Sequence, residues 1–450
     1  MISLYNSFYR KETWVTKTKS ILILCGEEPH LDPRTKWHAE FFKDNGYHVD
    51  IISYVANSHH HTSLPIYKLA SIQNFSLSQL SLLILYIKKL FISDLIKTKL
   101  SFVILIILLF PILLIYRPIS IIKRKYGIKK NCLDYSYKIF FFLKQHIILS
   151  SKLYLYNKTP NIIICQEPHT LSAGIYQLKK KSFIIFDAHE ISYDEEIGQD
   201  QFTSKILKNY EEHLLQKINY FTTVSDEIMK LYIKNNPHLK NISCTIPNVN
   251  SKKHIINNQI SKTSKKIKFL LSSSYFTNKG LEEFITAWKI VNPDNATLYL
   301  RLFNPDRFNK NFQQTLSKLK GEYKNIVILP KIPQDKIILS YTNYDVGVIF
   351  YNPNLNLNYK YCCPNKFGEY LFSGLAILST NSSFLSRQIN SAKCGITYDP
   401  NNQNNTINAL KTLISNPEQI KTYQQNSRKF AKTKFHYEIF GKKLLKDLGL

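Results

Sequence analysis

The run Pro364-Asn365-Lys366-Phe367-Gly368-Glu369-Tyr370-Leu371-Phe372-Ser373-Gly374-Leu375-Ala376 decides the reading of this chain. It follows a strand-like segment, Asp345 to Tyr351, and reads as a loop, then the first turns of a helix with one carboxylate. Gly374 then releases the chain into another apolar strand, Ala376 to Ser379. Pro364 suits a helix start, where its missing N–H is no loss and its fixed φ already fits. The first turn of a helix presents unpaired N–H groups and a positive dipole end, which suits a phosphate. A Glu one turn further in can accept two hydrogen bonds from a ribose diol. The outline is that of a nucleotide site, although a plain helix beginning at Pro364 would share it.

Working outward, short apolar segments alternate with helical ones. From Ser20 the order is strand (Ile21 to Leu24), a turn region (Gly26 to Arg34), helix (Trp37 to Asn45), Gly46 as its stop, and strand (Val49 to Ser53). Strands recur at Asn161 to Cys165, Phe183 to Phe186 and Tyr220 to Val224, and Val224-Ser225-Asp226-Glu227 opens a helix by a Ser/Asp start. A Lys- and Ser-rich stretch, Asn250 to Lys266, separates a second alternating set. Its strands are Ile267 to Ser272, Ala296 to Leu302, Ile326 to Leu329, Asp345 to Phe350 and Ala376 to Ser379. Its helices are Leu281 to Val291, Phe312 to Tyr323, Lys336 to Tyr341 and Lys366 to Phe372, followed by Pro417 to Lys434 and Tyr437 to Leu448. Such alternation predicts parallel sheets covered on both faces, with ligands at the carboxyl ends of the strands. A length of 450 residues fits two domains. We read 1–249 as the first, 250–430 as the second, and 431–450 as a terminal helix.

Hydrophobic residues at 44% and charged ones at 20% describe a globular protein. An excess of 60 Lys+Arg over 32 Asp+Glu gives +28 and implies anionic partners. The basic residues form no Arg-rich block or nucleic-acid module, which favours an anionic membrane surface over nucleic acid. Seven scattered cysteines with no C-x-x-C pair read as reduced thiols of a cytoplasmic protein. Met1 to Ser20 lacks a long apolar run, so it reads as a flexible lead-in and not a secretory signal.

The alternation breaks at about 64–130. Phe102 to Tyr116 is unbroken apolar sequence apart from Pro111, with Lys88, Lys89, Lys97 and Lys99 before it and Arg117, Lys123, Arg124 and Lys125 after. At ~1.5 Å per residue a helix of this run falls short of a ~30 Å hydrocarbon core. It reads either as a monotopic, membrane-associated helical insertion with its cations on anionic headgroups, or as a helical pair buried in the domain. The first places the protein at the inner face of the cell membrane.

The Pro364 to Ala376 stretch resembles the donor-binding signature of retaining glycosyltransferases of family four, with the GT-B fold: a Pro-Asn-Lys-x-x-Glu-Tyr-x-x-x-Gly segment before a short apolar strand. Other segments match in order, so the resemblance covers most of the chain. It implies two Rossmann-like domains facing across a cleft, the last helix crossing back to the first domain. Glu369 would bind the donor ribose, and Pro364, Asn365 and Lys366 would face the diphosphate. Lys279, in Thr277-Asn278-Lys279-Gly280, resembles the basic residue that stabilises the leaving diphosphate, a catalytic role needing no metal or cofactor. Ile332, in Pro330-Lys331-Ile332-Pro333, matches the base-contacting turn.

In the first domain, Phe186-Asp187-Ala188-His189-Glu190 resembles the Tyr-Asp-x-His-Glu motif of one branch, implying that His189 contacts the sugar, with Glu190 on the acceptor side. Glu167 and His169, in Cys165-Gln166-Glu167-Pro168-His169, and Asp32 and Arg34, in Asp32-Pro33-Arg34, resemble its other acceptor-side residues. Two departures stand out: Tyr361 replaces the first carboxylate of the family's Glu-x7-Glu, and Ser273 stands where many relatives have Arg. Asn358 and Tyr359 are candidates for polar contacts to the sugar.

The resemblance implies a transferase that moves a sugar from a nucleoside diphosphate sugar to an acceptor hydroxyl, with retention. The acceptor expected here is a lipid-linked saccharide of bacterial surface polysaccharide synthesis. A nucleotide-sugar epimerase of the same fold and a non-catalytic sugar-binding partner at a membrane are the alternatives. No Asp-x-Asp loop after a strand, zinc spacing, Walker loop or Gly-x-Gly-x-x-Gly fingerprint is present.

Overall fold

The computed structural model describes residues 20–26, 32–54, 145–146, 148–150, 152–153, 156, 158–178, 182–194, 201–256, 266–274, 281–303 and 323–450. The expected insertion at 64–130, Lys279, and the helix expected at Phe312 to Tyr323 up to its last residue lie outside them. Among the described residues, no helix is long and apolar enough to cross a membrane.

Two six-stranded sheets, all of whose pairings are parallel, organise the chain. The first contains β1 (Ser20–Cys25), β2 (His48–Ser53), β3 (Ile162–Gln166), β4 (Phe183–Ala188), β5 (Tyr220–Thr223) and β6 (Ser243–Thr245) in the order β2-β1-β3-β4-β5-β6. Its strands are apolar runs and not alternations because both faces are covered: Ile21, Leu22, Ile23 and Leu24 are all buried, and Ile21 lies opposite Ile162. The second contains β7 (Ile267–Ser274), β8 (Ala296–Phe303), β9 (Ile326–Leu329), β10 (Val346–Ile349), β11 (Ala376–Thr380) and β12 (Gly395–Tyr398) in the order β12-β11-β10-β7-β8-β9. The strand order reverses between β7 and β10, with β8 and β9 added on one side and β11 and β12 on the other, and ligands of open α/β sheets settle at such a switch point.

One apolar core fills the outer side of the second sheet, around Phe269, Phe284 and Trp288. The other is continuous from the first sheet through Phe367, Tyr370 and Phe372 to Phe430, Phe435, Tyr437 and Leu444, so it joins both halves. The helix Pro417–Thr433 lies behind β11, with Ser427 Oγ donating to Leu375 O at 2.6 Å. Although polar overall, it buries Ile420, Phe430 and Ala431 on one side. The last helix, Tyr437–Leu448, packs on the first domain: the Tyr437 and Phe41 rings are 5.2 Å apart, and Tyr220 OH donates to Asp447 at 2.9 Å.

The first helix differs from its sequence reading. It spans Pro33–Asp44, starting four residues before Trp37, because Asp32 caps it by accepting from Arg34 N and Thr35 N while Pro33 occupies the first turn. The short strands β6 and β12 and the helices Leu357–Tyr361, Ser383–Ala392 and Gln403–Ile414 were not in that reading either.

Candidate active site

The residues expected on the donor side gather around the helix Asn365–Ser373, which follows β10 after the short helix Leu357–Tyr361. Pro364 is its N-cap residue and contributes no side-chain cap, so its first-turn amides have no cap acceptor from that side chain. Gly374, at φ 71°, ends it in the left-handed conformation, and a Cβ there would also lie 2.4 Å from Arg428 Nε. Lys366 and Glu369 share one side of this helix, with Nζ 2.8 Å from Oε2. Glu369 is only 7% exposed. Lys366 also lies over the rings of Phe303 and Tyr341, at 5.5 and 5.8 Å. Burial, and then the Glu369 charge, raise the Tyr341 hydroxyl well above its ordinary value, so it remains a neutral donor to Ser272 Oγ at 2.7 Å.

Tyr370, its ring centroid 5.3 Å from that of Tyr341, holds this helix to the switch point. Its hydroxyl accepts from Ser272 N at 3.1 Å, and its ring lies against Gly347, where a Cβ would come within 2.3 Å of the ring. Ile332 is partly buried against the same core, and Ser273 is buried on β7.

On the first domain, the carboxyl ends of β1, β3 and β4 bring the acceptor-side candidates together around Asp187, which is fully buried. Arg34 grips it with two donors, Nε to Oδ2 at 2.7 Å and Nη2 to Oδ1 at 2.6 Å. Thr222 Oγ1 adds a bond at 2.6 Å and His38 Nε2 lies at 2.8 Å. Burial alone would push the Asp187 carboxyl up, but the Arg34 charge and the Arg34 hydrogen bonds hold it well below the usual carboxylate range. Burial holds His38 below its ordinary value despite Asp187. A neutral imidazole then donates from Nε2 to Asp187 and accepts at Nδ1 from Tyr437 OH.

His189 sits at the rim of this group, partly exposed, with Nε2 3.2 Å from Asp187 Oδ2 and Nδ1 3.6 Å from Glu167 Oε1. Both ring nitrogens therefore face carboxylates of the first domain. Glu167 itself adopts φ 73°, in the left-handed region that a non-glycine residue occupies at a cost of order 1–3 kcal/mol. Glu190 is exposed. His169 is buried against Gly26, where a Cβ would lie 2.4 Å from its Nε2. Arg34 is only 2% exposed, and its remaining Nη1 donates to Ile246 O at 2.8 Å and Asn248 Oδ1 at 3.1 Å. Its guanidinium is thus turned inward, toward the protein's own acceptors. Asp32 is committed to capping the first helix and to Thr35 Oγ1.

The two groups are linked by residues whose part the motifs did not disclose. Asn248 Nδ2 donates to Cys363 O at 2.9 Å, just before the Asn365–Ser373 helix, and a Cβ on Gly368 would lie 3.2 Å from Asn248 O. Asn358 is 2% exposed and bonded to the backbone of Ile191 and Asp194. Tyr359, next to it, stacks edge-on to Tyr351 with ring centroids 5.2 Å apart. Tyr361 is partly buried beneath Lys360, whose Nζ is 5.5 Å from its ring centroid. Among the described residues, no group of three or more His, Cys, Asp or Glu could hold a metal ion.

Residues 252–430 match the family model described as glycosyl transferases group 1. No curated protein matches the chain. Among solved structures, sucrose-phosphate synthase from Thermosynechococcus elongatus superposes with a TM-score of 0.65 at 14% identity, covering 95% of this chain and 98% of that one. Anabaena Alr3699/HepE in complex with UDP and glucose gives 0.61 at 13%, covering 96% and 100%. WaaG, a glycosyltransferase involved in lipopolysaccharide biosynthesis, gives 0.58 at 12%, also covering 96% and 100%. At these identities the likeness is one of fold, and that fold is GT-B, as the sequence led us to expect. Together with the family match over the second domain, it supports a glycosyltransferase.

Proposed function

We propose that this chain transfers a sugar from a nucleoside diphosphate sugar to an acceptor hydroxyl, with retention at the anomeric carbon, as in family four. The observation that carries the reading is the part-buried Lys366–Glu369 pair on a helix that Tyr370 ties to the switch point and that starts without a side-chain cap, inside the stretch that matches glycosyl transferases group 1. Glu369 would accept the ribose hydroxyls, its charge held in place by Lys366. The first-turn amides would meet the diphosphate, and Lys366 with Lys279 would offset the charge that grows on it as the glycosidic bond breaks. Ile332 would rest against the base. His189 and Glu167 would line the sugar and acceptor side, held by Asp187.

The acceptor we propose is a lipid-linked saccharide, reached by a cytoplasmic protein at the inner membrane face. The net charge of +28 supports attraction to an anionic surface, and WaaG acts in lipopolysaccharide biosynthesis on the same fold. No metal or other cofactor is invoked, because cationic side chains and amides can offset the leaving charge.

The test is Glu369→Ala with UDP and GDP titrated into the full chain. Loss of two charge-assisted hydrogen bonds, at ~1.5–3 kcal/mol each, predicts at least a tenfold weaker affinity for the preferred diphosphate. Unchanged affinity and unchanged sugar transfer would reject the site.

A further inference from the structure

Asn358 lies in the second domain, yet among the described residues every hydrogen bond its side chain makes to another element runs to the first. Its Oδ1 accepts from Ile191 N at 2.7 Å, and its Nδ2 donates to Ile191 O at 3.1 Å and Asp194 O at 3.2 Å. A fourth bond joins the same two segments from the other direction, Leu357 N–H donating to the Asp194 carboxylate. The short helix Leu357–Tyr361 that carries Asn358 is itself fixed by Asn356, which caps it by accepting from Tyr359 N at 2.7 Å. With both amide ends occupied and the residue 2% exposed, Asn358 offers no free group to a ligand. That excludes the sugar contact considered for it from sequence.

The segment it grips begins two residues after His189. We infer that Asn358 is a positioning residue for sugar transfer: its amide clamps the Ile191–Asp194 segment to the second domain and so sets where His189 stands relative to the donor helix. The inference rests on the proposed function for its catalytic meaning, while the clamp itself rests on the four bonds alone. An amide suits the task because one planar group supplies an acceptor and two donors at fixed angles. A carboxylate would lose both donors and set a second negative charge beside Asp194, and an alanine would leave the Ile191 N–H and two carbonyls without these partners.

The test uses the full chain as wild type, Asn358→Ala and Asn358→Asp, with hydrogen exchange, UDP and GDP titration, and sugar transfer measured on each. Asn358→Ala should exchange the Ile191 amide at least tenfold faster, and Asn358→Asp, whose carboxylate still accepts from that amide, by less, while Ile377 and Leu378 in the second sheet keep their rates in both, which shows that the domain stays folded. Affinity for the preferred diphosphate should stay within twofold while turnover falls at least tenfold, a split that general destabilisation would not produce. Unchanged Ile191 exchange in Asn358→Ala, or turnover of that variant within twofold of wild type, would overturn the clamp's role even if donor binding is normal. A wild-type chain that binds neither diphosphate would instead overturn the functional reading, and with it the catalytic meaning of the clamp.

Discussion

Replacing Asp187 by Asn removes the charge around which the first domain's polar centre is built. The carboxylate receives two bonds from Arg34 and one from Thr222, with His38 Nε2 at 2.8 Å, and is fully buried. Asn is nearly isosteric, so little volume changes, but its NH2 group would point at donors and the Arg34 cation, 2% exposed, would lose its counter-charge. Breaking one partner of a buried pair typically costs ~3–5 kcal/mol, a large part of a total stability of about 5–15 kcal/mol. Urea unfolding followed by circular dichroism should therefore show Asp187→Asn less stable by roughly this amount. Adding Arg34→Met should recover at least ~2 kcal/mol of it, because the orphaned cation is then gone. A loss below ~1 kcal/mol, the scale of an exposed pair, or a double variant as unstable as the sum of the singles, would refute the reasoning.

Acid should weaken the fold well above the carboxylate range. Burial holds His146 at about 4, and burial with the nearby His146 holds His169 at about 3, whereas the unfolded chain titrates near ~6.5. The unfolded state thus binds more protons between these values, so stability falls as pH drops below ~6.5; at pH 5 each histidine contributes a loss of roughly 2 kcal/mol. Urea midpoints at pH 7 and 5, in wild type and in His146→Gln, should show this dependence flattened in the variant. For the last helix, Gly441→Val is the sharper perturbation, since even a Cβ there would lie 2.6 Å from the Phe41 ring. Overpacking of this kind costs ~1–3 kcal/mol and should speed proteolysis after residue 434 while leaving the second sheet protected.

The strands were legible because a parallel strand covered on both faces is written as an unbroken apolar run, as at Ile21 to Leu24 and Ile162 to Cys165. Ser243-Cys244-Thr245 and Gly395-Ile396-Thr397-Tyr398 carry no such run, and they become strands through pairing with β5 and β11. Glu369 and Lys366 could be named together because three residues along one helix is a local relation. Arg34 and Asp187 are 153 positions apart, so Arg34 read as an acceptor-side candidate and Asp187 as no more than part of the His189 motif until the fold made them partners. Asn358 was ambiguous for the same reason: an amide in a loop-like run gives no sign of whether its partner is a ligand or a distant backbone.

Those long-range pairings bear on how the two domains meet. From Asp187 the contacts pass through Arg34 to Asn248 Oδ1, from Asn248 Nδ2 to Cys363 O, and Cys363 directly precedes the N-cap residue Pro364. A second route leaves the same strand end at His189 and crosses through Ile191 to Asn358. Buried hydrogen bonds fix angles and register more narrowly than apolar contact, which tolerates sliding. The amino end of the Asn365–Ser373 helix is therefore positioned from the first domain at two points, Cys363 and Asn358, on either side of Tyr361. At Tyr361 this chain has a partly buried tyrosine between the two polar ties, so a displacement of the Asp187 centre would reach the Asn365–Ser373 helix through both.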